Sequence, residues 1–156
     1  MIKIDIPGRE PLMLEHLVCD VNGTLAVDGQ LIDGISQTIM KLGDRLQFHM
    51  LTADTHGKQK FIDEQLNVSA IRVSPGHEAE QKAVYINQLG AEKVVAIGQG
   101  ANDAAMLKAA GLGIAVISIE GTAIETLLAA DIVVPDINTA FELLLKPIRI
   151  IASLRK

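Results

Sequence analysis

Residues 17–23, Leu17-Val18-Cys19-Asp20-Val21-Asn22-Gly23, begin as an apolar run and end in a polar loop containing glycine. A run this short, followed at once by turn formers, predicts a buried strand that delivers Asp20 and Asn22 at its carboxyl end. The pattern recurs outward from there. Residues 46–51 read as the next strand and 93–97 as a continuous apolar run, ending in polar loops at 52–54 and 98–103, and 70–73, 112–117 and 131–134 read as further strands. Helical stretches lie between them. One runs from about residue 33, with Ile35, Ile39 and Leu42 on one face and Gly43 as its stop; the next runs from a Thr55 cap to Leu66. Others cover 78–88, ended by Gly90, then 101–109, 122–129, 138–145 and a last piece from Pro147.

Strands alternating with helices imply a parallel central sheet covered on both faces, an α/β fold of Rossmann-like three-layer α/β/α type. Two hairpins stand outside this alternation: 1–14, around Pro7-Gly8, and a flap at about 23–32, around Asp28-Gly29, a dipeptide that favours a type I′ turn. No linker or repeat interrupts the chain, so residues 1–156 are expected to form a single domain.

Composition narrows the function classes. With 156 residues, 49% apolar and 21% charged, the chain can bury a core, and disorder is excluded. Aromatics are 3% with no Trp, and the net charge is −5 with scattered Lys and Arg, so nucleic acid is not an expected partner. The single cysteine, Cys19, rules out an internal disulfide; it alternates with Asp20 and should face the core. Residues 109–135 are the most apolar region, but Glu120, Glu125 and Asp131 break it, so no membrane span is expected. The N-terminus, MIKIDIPGRE, does not read as a signal peptide, and a cytoplasmic location is expected. Histidines 16, 49, 56 and 77 show no paired metal-ligand spacing.

In open parallel sheets, ligands bind beyond the carboxyl ends of the strands. Those ends carry Asp20, Asn22 and Thr24, then Thr52 and Asp54, then 98–103, while the helix beginning near residue 78 carries Lys82. Asp20 and Asp103 facing each other would repel unless a cation sat between them, and Mg²⁺ suits hard oxygen donors. The Thr52 hydroxyl, Lys82 ammonium and Asn102 amide suit the oxygens of a phosphoryl group, and the amides of 21–24 could cradle it. An aspartate can then serve as nucleophile and form an aspartyl phosphate. Residues 98–103 are not a dinucleotide fingerprint, because Asp103 stands where the third glycine belongs. Asp54 reads as a cap for the helix that follows.

Asp20-Val21-Asn22-Gly23-Thr24-Leu25 resembles the first motif of the haloacid dehalogenase superfamily, D-x-D-G-T-L. His49-Met50-Leu51-Thr52-Ala53-Asp54 looks like its second and is similar to the MLTGD of P-type ATPases. Lys82 fits the third, and Gly98-Gln99-Gly100-Ala101-Asn102-Asp103-Ala104 resembles the fourth, GDGxNDA. The four occur in family order, and the pattern is similar to that of soluble P-type-ATPase-like phosphatases. The resemblance implies Asp20 as the phosphoryl-accepting nucleophile, with Thr52 and Lys82 as its catalytic companions. It implies phosphate binding by Asn22, Gly23, Thr24, Thr52, Ala53, Lys82 and Asn102. It also implies Mg²⁺ held by Asp20, the backbone carbonyl of Asn22, Gln99 and Asp103.

Two residues depart from the family pattern. Asn22 stands where the phosphatases carry a general acid–base, a group worth about 10²–10⁴-fold, so the acyl phosphate should hydrolyse slowly. P-type ATPases also lack an acid there and carry Thr. Gln99 stands where the family has an acidic Mg²⁺ ligand, and a neutral amide should weaken metal binding. The expected function is a Mg²⁺-dependent phosphatase or phosphotransferase working through phospho-Asp20, with slow dephosphorylation. The alternative is a catalytically impaired module that keeps phosphate or partner binding. Only 32 positions separate Asp20 from Thr52, and 30 separate Thr52 from Lys82, too few for a lid domain. A capless, open site suits a large or protein-bound phosphorylated substrate and is compatible with a homo-oligomer.

Overall fold

The computed structural model describes residues 1–54 and 57–156, so the Thr55 cap and His56 lie outside the described residues. The two hairpins form as the turn chemistry predicts. Strands β1 (Ile2–Ile4) and β2 (Leu12–Leu14) pair antiparallel, as do β4 (Ala26–Val27) and β5 (Gln30–Leu31). At the flap tip, Asp28 and Gly29 both take positive φ, 51° and 78°, as a type I′ turn requires.

The pivot of the molecule is β3 (His16–Asp20), which pairs in parallel with β6 (Gln47–Thr52) on one side and β8 (Val94–Gly98) on the other. β7 (Ile71–Arg72) flanks β6; β9 (Leu112–Val116) and β10 (Ile132–Val134) extend the other side. The result is a six-stranded parallel sheet in the order β10-β9-β8-β3-β6-β7. β8 and β9 are buried along their whole length, as continuous apolar runs demand of strands covered on both faces.

Side-chain alternation divides the sheet between two cores. Leu17, Cys19, Met50, Val95, Ile97 and Ile114 face one, with α1 (Ile35–Leu42), α6 (Ile137–Leu145) and α7 (Ile148–Leu154). Val18, Leu51, Val94, Ala96 and Ala115 face the other, with Ile86 of α3 (Glu78–Gln88) and Met106 and Leu107 of α4 (Ala104–Ala109). The remaining helices are α2 (Gln59–Leu66) and α5 (Ile124–Ala129). Among the described residues, no helix is long and apolar enough to cross a membrane.

Where details of α1 and α4 differ from the sequence reading, the reasons are local. α1 starts two residues late, because Gly34 holds the left-handed conformation (φ 85°) just before it. Gly43 does end α1, but in right-handed geometry (φ −60°), its N–H bonded to the carbonyls of Ile39 and Met40. The expected helix over 101–109 splits into a 3₁₀ turn at Ala101–Asp103 followed by α4. The Asp103 carboxylate turns back there to accept the amides of Gln99 and Gly100, which tightens the entry turn.

Candidate functional site

The carboxyl ends of β3, β6 and β8 place Asp20, Thr52 and the 98–103 loop around the first turns of α3. Lys82 is the hub. Its side chain is 1% exposed, and its Nζ donates to Asp20 Oδ1 at 2.7 Å and Asp103 Oδ1 at 2.7 Å. A third, longer bond runs to Asn102 Oδ1 at 3.3 Å. An ammonium has three protons, so all three are spent; a phosphoryl oxygen reaches this group most cheaply by displacing Asn102.

Each carboxylate is held at both oxygens. Asp20 Oδ2 accepts from Thr24 Oγ1 at 3.2 Å, while Asp103 Oδ2 accepts the N–H of Gln99 at 2.9 Å and of Gly100 at 3.0 Å. Gly98 makes this approach possible: a Cβ there would lie 2.6 Å from the Asp103 carboxylate, so the glycine serves close packing and not a dinucleotide. Burial, and after it the charge of Asp103, pushes the Asp20 carboxyl up to about 7, with Lys82 and Thr24 pulling against the rise. For Lys82, burial works against the charge, but the facing carboxylates of Asp20 and Asp103 outweigh it and hold the ammonium above the ordinary lysine range.

Thr52 is fully buried; its Oγ1 accepts the Asp54 N–H at 2.9 Å and faces Asn22 Nδ2 at 3.4 Å. Ala53 follows it, half-buried at the strand end. Asp54 accepts the N–H of Gln59, the first residue of α2, at 3.1 Å, the capping role read from the sequence. Cys19 is wholly buried, and burial pushes its thiol up, followed by the charges of Asp20 and Asp103, so it is a core residue.

Two expected phosphate donors are already committed. The Gly23 amide donates to Ala26 O at 2.7 Å and the Thr24 amide to Val21 O at 3.1 Å, because residues 21–26 close on themselves as a tight loop. Those N–H groups therefore do not form the expected cradle. One polar cluster escaped the sequence reading. His16 Nδ1 and His49 Nε2 lie 3.1 Å apart, and His49 Nδ1 meets the Tyr85 hydroxyl at 2.9 Å. Chain spacing hides this contact, which exists because β3 and β6 are neighbours; the strand order would have been needed to find it.

The family model of haloacid dehalogenase-like hydrolases matches residues 63–139, the stretch that holds Lys82, Gln99, Asn102 and Asp103. The fold and the four ordered motifs agree with that match. The chain belongs to the haloacid dehalogenase superfamily. A relative in Methanocaldococcus jannaschii, the uncharacterized protein MJ0073, is 45% identical over 84 residues, 51% of this chain and 90% of its own length. The 3-deoxy-D-manno-octulosonate 8-phosphate phosphatase of Moraxella catarrhalis, solved with magnesium, phosphate and KDO, shares the fold. It superposes with a TM-score of 0.67 at 19% identity, over 92% of this chain and 95% of that one. The catalytic domain of the CPx-ATPase CopB is 28% identical with a TM-score of 0.61, over 74% of this chain and 46% of that one.

The residues of this haloacid dehalogenase-like site do not form a good cage for a tightly held divalent cation. Among the described residues, no group of three or more His, Cys, Asp and Glu side chains could hold a metal ion. Of the expected ligands, Asp103 is tied through Oδ1 to Lys82 and through Oδ2 to two amides. Gln99 brings a neutral carboxamide whose Nε2 points at the Asn22 carbonyl, 3.4 Å away. Asp20 is the one expected ligand with a charge not tied down by backbone amides, and it shares the Lys82 ammonium with Asp103.

Proposed function

We propose that this chain is a phosphatase or phosphotransferase that accepts a phosphoryl group on Asp20 and releases it slowly. The observation that carries the reading is the 2.7 Å contact between Lys82 and Asp20, the carboxylate that ends β3 at the carboxyl edge of the sheet. An Asp20 oxygen attacks phosphorus, the bond to the leaving oxygen breaks, and an acyl phosphate forms. Lys82 and Thr52 are placed to take up charge on the phosphoryl oxygens. Asn22 is turned toward Thr52 and offers the leaving oxygen no acidic proton, so water must supply it. Nor can Asn22 take a proton from the water that cleaves the acyl phosphate, and this second step limits the cycle.

The 28% identity to the CopB catalytic domain supports a P-type-ATPase-like subgroup, and the phosphatase neighbours support a phosphomonoester substrate. Among the described residues, the segments between the site residues hold the flap, α1, β6, α2 and β7, which supports a capless site open to a large or protein-bound substrate. Self-association and a cytoplasmic setting belong to the same reading. Magnesium is supported by the magnesium-bound neighbour, while the donors of this chain weigh against it. Those departures, Asn22 and Gln99, favour the second reading, a binding or regulatory module that keeps the phosphate site without turnover.

A millisecond-to-minute time course with p-nitrophenyl phosphate at high enzyme concentration tests the proposal, run both with Mg²⁺ and with EDTA. A burst near one equivalent, absent in Asp20→Asn, followed by slow release is expected. Rapid steady turnover would refute the slow second step. Absence of any Asp20-dependent release under both conditions would leave the binding module.

A further inference from the structure

We infer that the Gln99 carboxamide takes up the place of a divalent cation, and that the resident positive charge of this site is the Lys82 ammonium. The inference deepens the proposed function and rests on the same phosphate-binding reading for its ligand, a phosphomonoester or phosphate dianion taken without a metal.

The β3 and β8 loops meet where Gln99 reaches the Asn22 carbonyl, two residues after Asp20. A glutamine is one methylene longer than an aspartate, and here the extra length carries the amide across the gap to Asn22 O, at 3.4 Å. The fit is close, since a Cβ on Gly23 would lie 1.8 Å from Gln99 Nε2. Gly23, with φ at 80°, is thus the surface on which the amide rests. Turning the amide over would exchange its nitrogen for a neutral oxygen in the same space and add no charge. Mg²⁺ needs near-octahedral oxygen donors and one or two carboxylates free to face it. Asp103 is too constrained to replace the missing one: Gln99 N, Gly100 N and Lys82 hold it from three directions. The described part of the site is internally satisfied, with no buried side-chain nitrogen or oxygen lacking a partner.

Mn²⁺ binding followed by electron paramagnetic resonance, in the wild type and in Gln99→Asp, tests this without reference to turnover. The expected result is no saturable Mn²⁺ binding to the wild type and binding at least tenfold tighter in Gln99→Asp, which shortens the side chain and restores a carboxylate. Wild-type Mn²⁺ binding that disappears in Asp20→Asn would overturn the inference, and that comparison does not need the Gln99 variant to fold. Thermal protection by inorganic phosphate, measured in EDTA and in Mg²⁺, separates the two readings. Equal protection in both supports the inference, and protection seen only with Mg²⁺ overturns it. No protection in either overturns the phosphate reading, while the Mn²⁺ result still decides the role of Gln99.

Discussion

The same three elements build a polar cluster at each end of the sheet. Toward the carboxyl end, β3, β6 and α3 supply Asp20, Thr52 and Lys82; toward the amino end they supply His16, His49 and Tyr85. Residues 82 and 85 lie three apart on α3, so one helix face serves both clusters. The first is ionic and buried, with two carboxylates on one ammonium. The second is a chain of hydrogen bonds between rings, with burial, and then the neighbouring His16, holding His49 down to about 4. Its His49 is therefore neutral at pH 7. One scaffold thus presents charge where ligands approach such sheets and a hydrogen-bonded cluster around a neutral His49 at the opposite end.

If that contrast is right, Lys82→Ala has the largest effect. It leaves two buried carboxylates without a counter-charge, a change that typically costs about 3–5 kcal/mol. Urea denaturation should show this, and adding Asp20→Asn should recover part of it. A loss under about 1 kcal/mol would mean that the cluster is solvated and the contrast false.

Next comes the pH dependence of the amino-end cluster. His49 binds its proton more weakly folded than unfolded, so its contribution to stability is full above about 6.5 and is lost as pH falls toward about 4. Asp20 acts in the opposite sense, since a carboxyl held up at about 7 favours the fold as pH falls from 7 toward 3.8. The informative quantity is the difference between wild type and His49→Phe. The wild type should lose more stability between pH 6.5 and 4, and parallel profiles would remove His49 from the account.

The smallest effect is expected from Tyr85→Phe, which deletes one hydroxyl from a half-buried hydrogen bond, worth about 1 kcal/mol. Equilibrium unfolding at pH 7 measures it. A cost as large as that of Lys82→Ala would show the two ends to be energetically alike.

The fold was legible because parallel strands announce themselves as short apolar runs, and α3 begins at Glu78 and ends at Gln88 as its pattern predicts. Meeting points at strand ends were legible too: Asp20, Lys82, Asn102 and Asp103 do come together. What escaped depends on facts that one-dimensional spacing does not encode. The amides of Gly23 and Thr24 are taken by a loop that folds onto Val21 and Ala26. The 3₁₀ turn at 101–103 follows from where one carboxylate points. His16 and His49 are 33 residues apart and meet only through the pairing of β3 with β6.

The order of the sheet also bears on how the chain is made. β3 lies at the centre of the finished sheet, yet its two neighbours are synthesised far apart: β6 ends at Thr52, and β8 does not begin until Val94. Parallel pairings at such sequence separation form slowly. During synthesis, one side of β3 has no partner for the whole interval in which α2, β7 and α3 are added. An unpaired strand flank is a template for another chain. For a nascent chain on a crowded ribosome, the centre of the future sheet is its most exposed edge, and the arrival of residues 94–98 closes it.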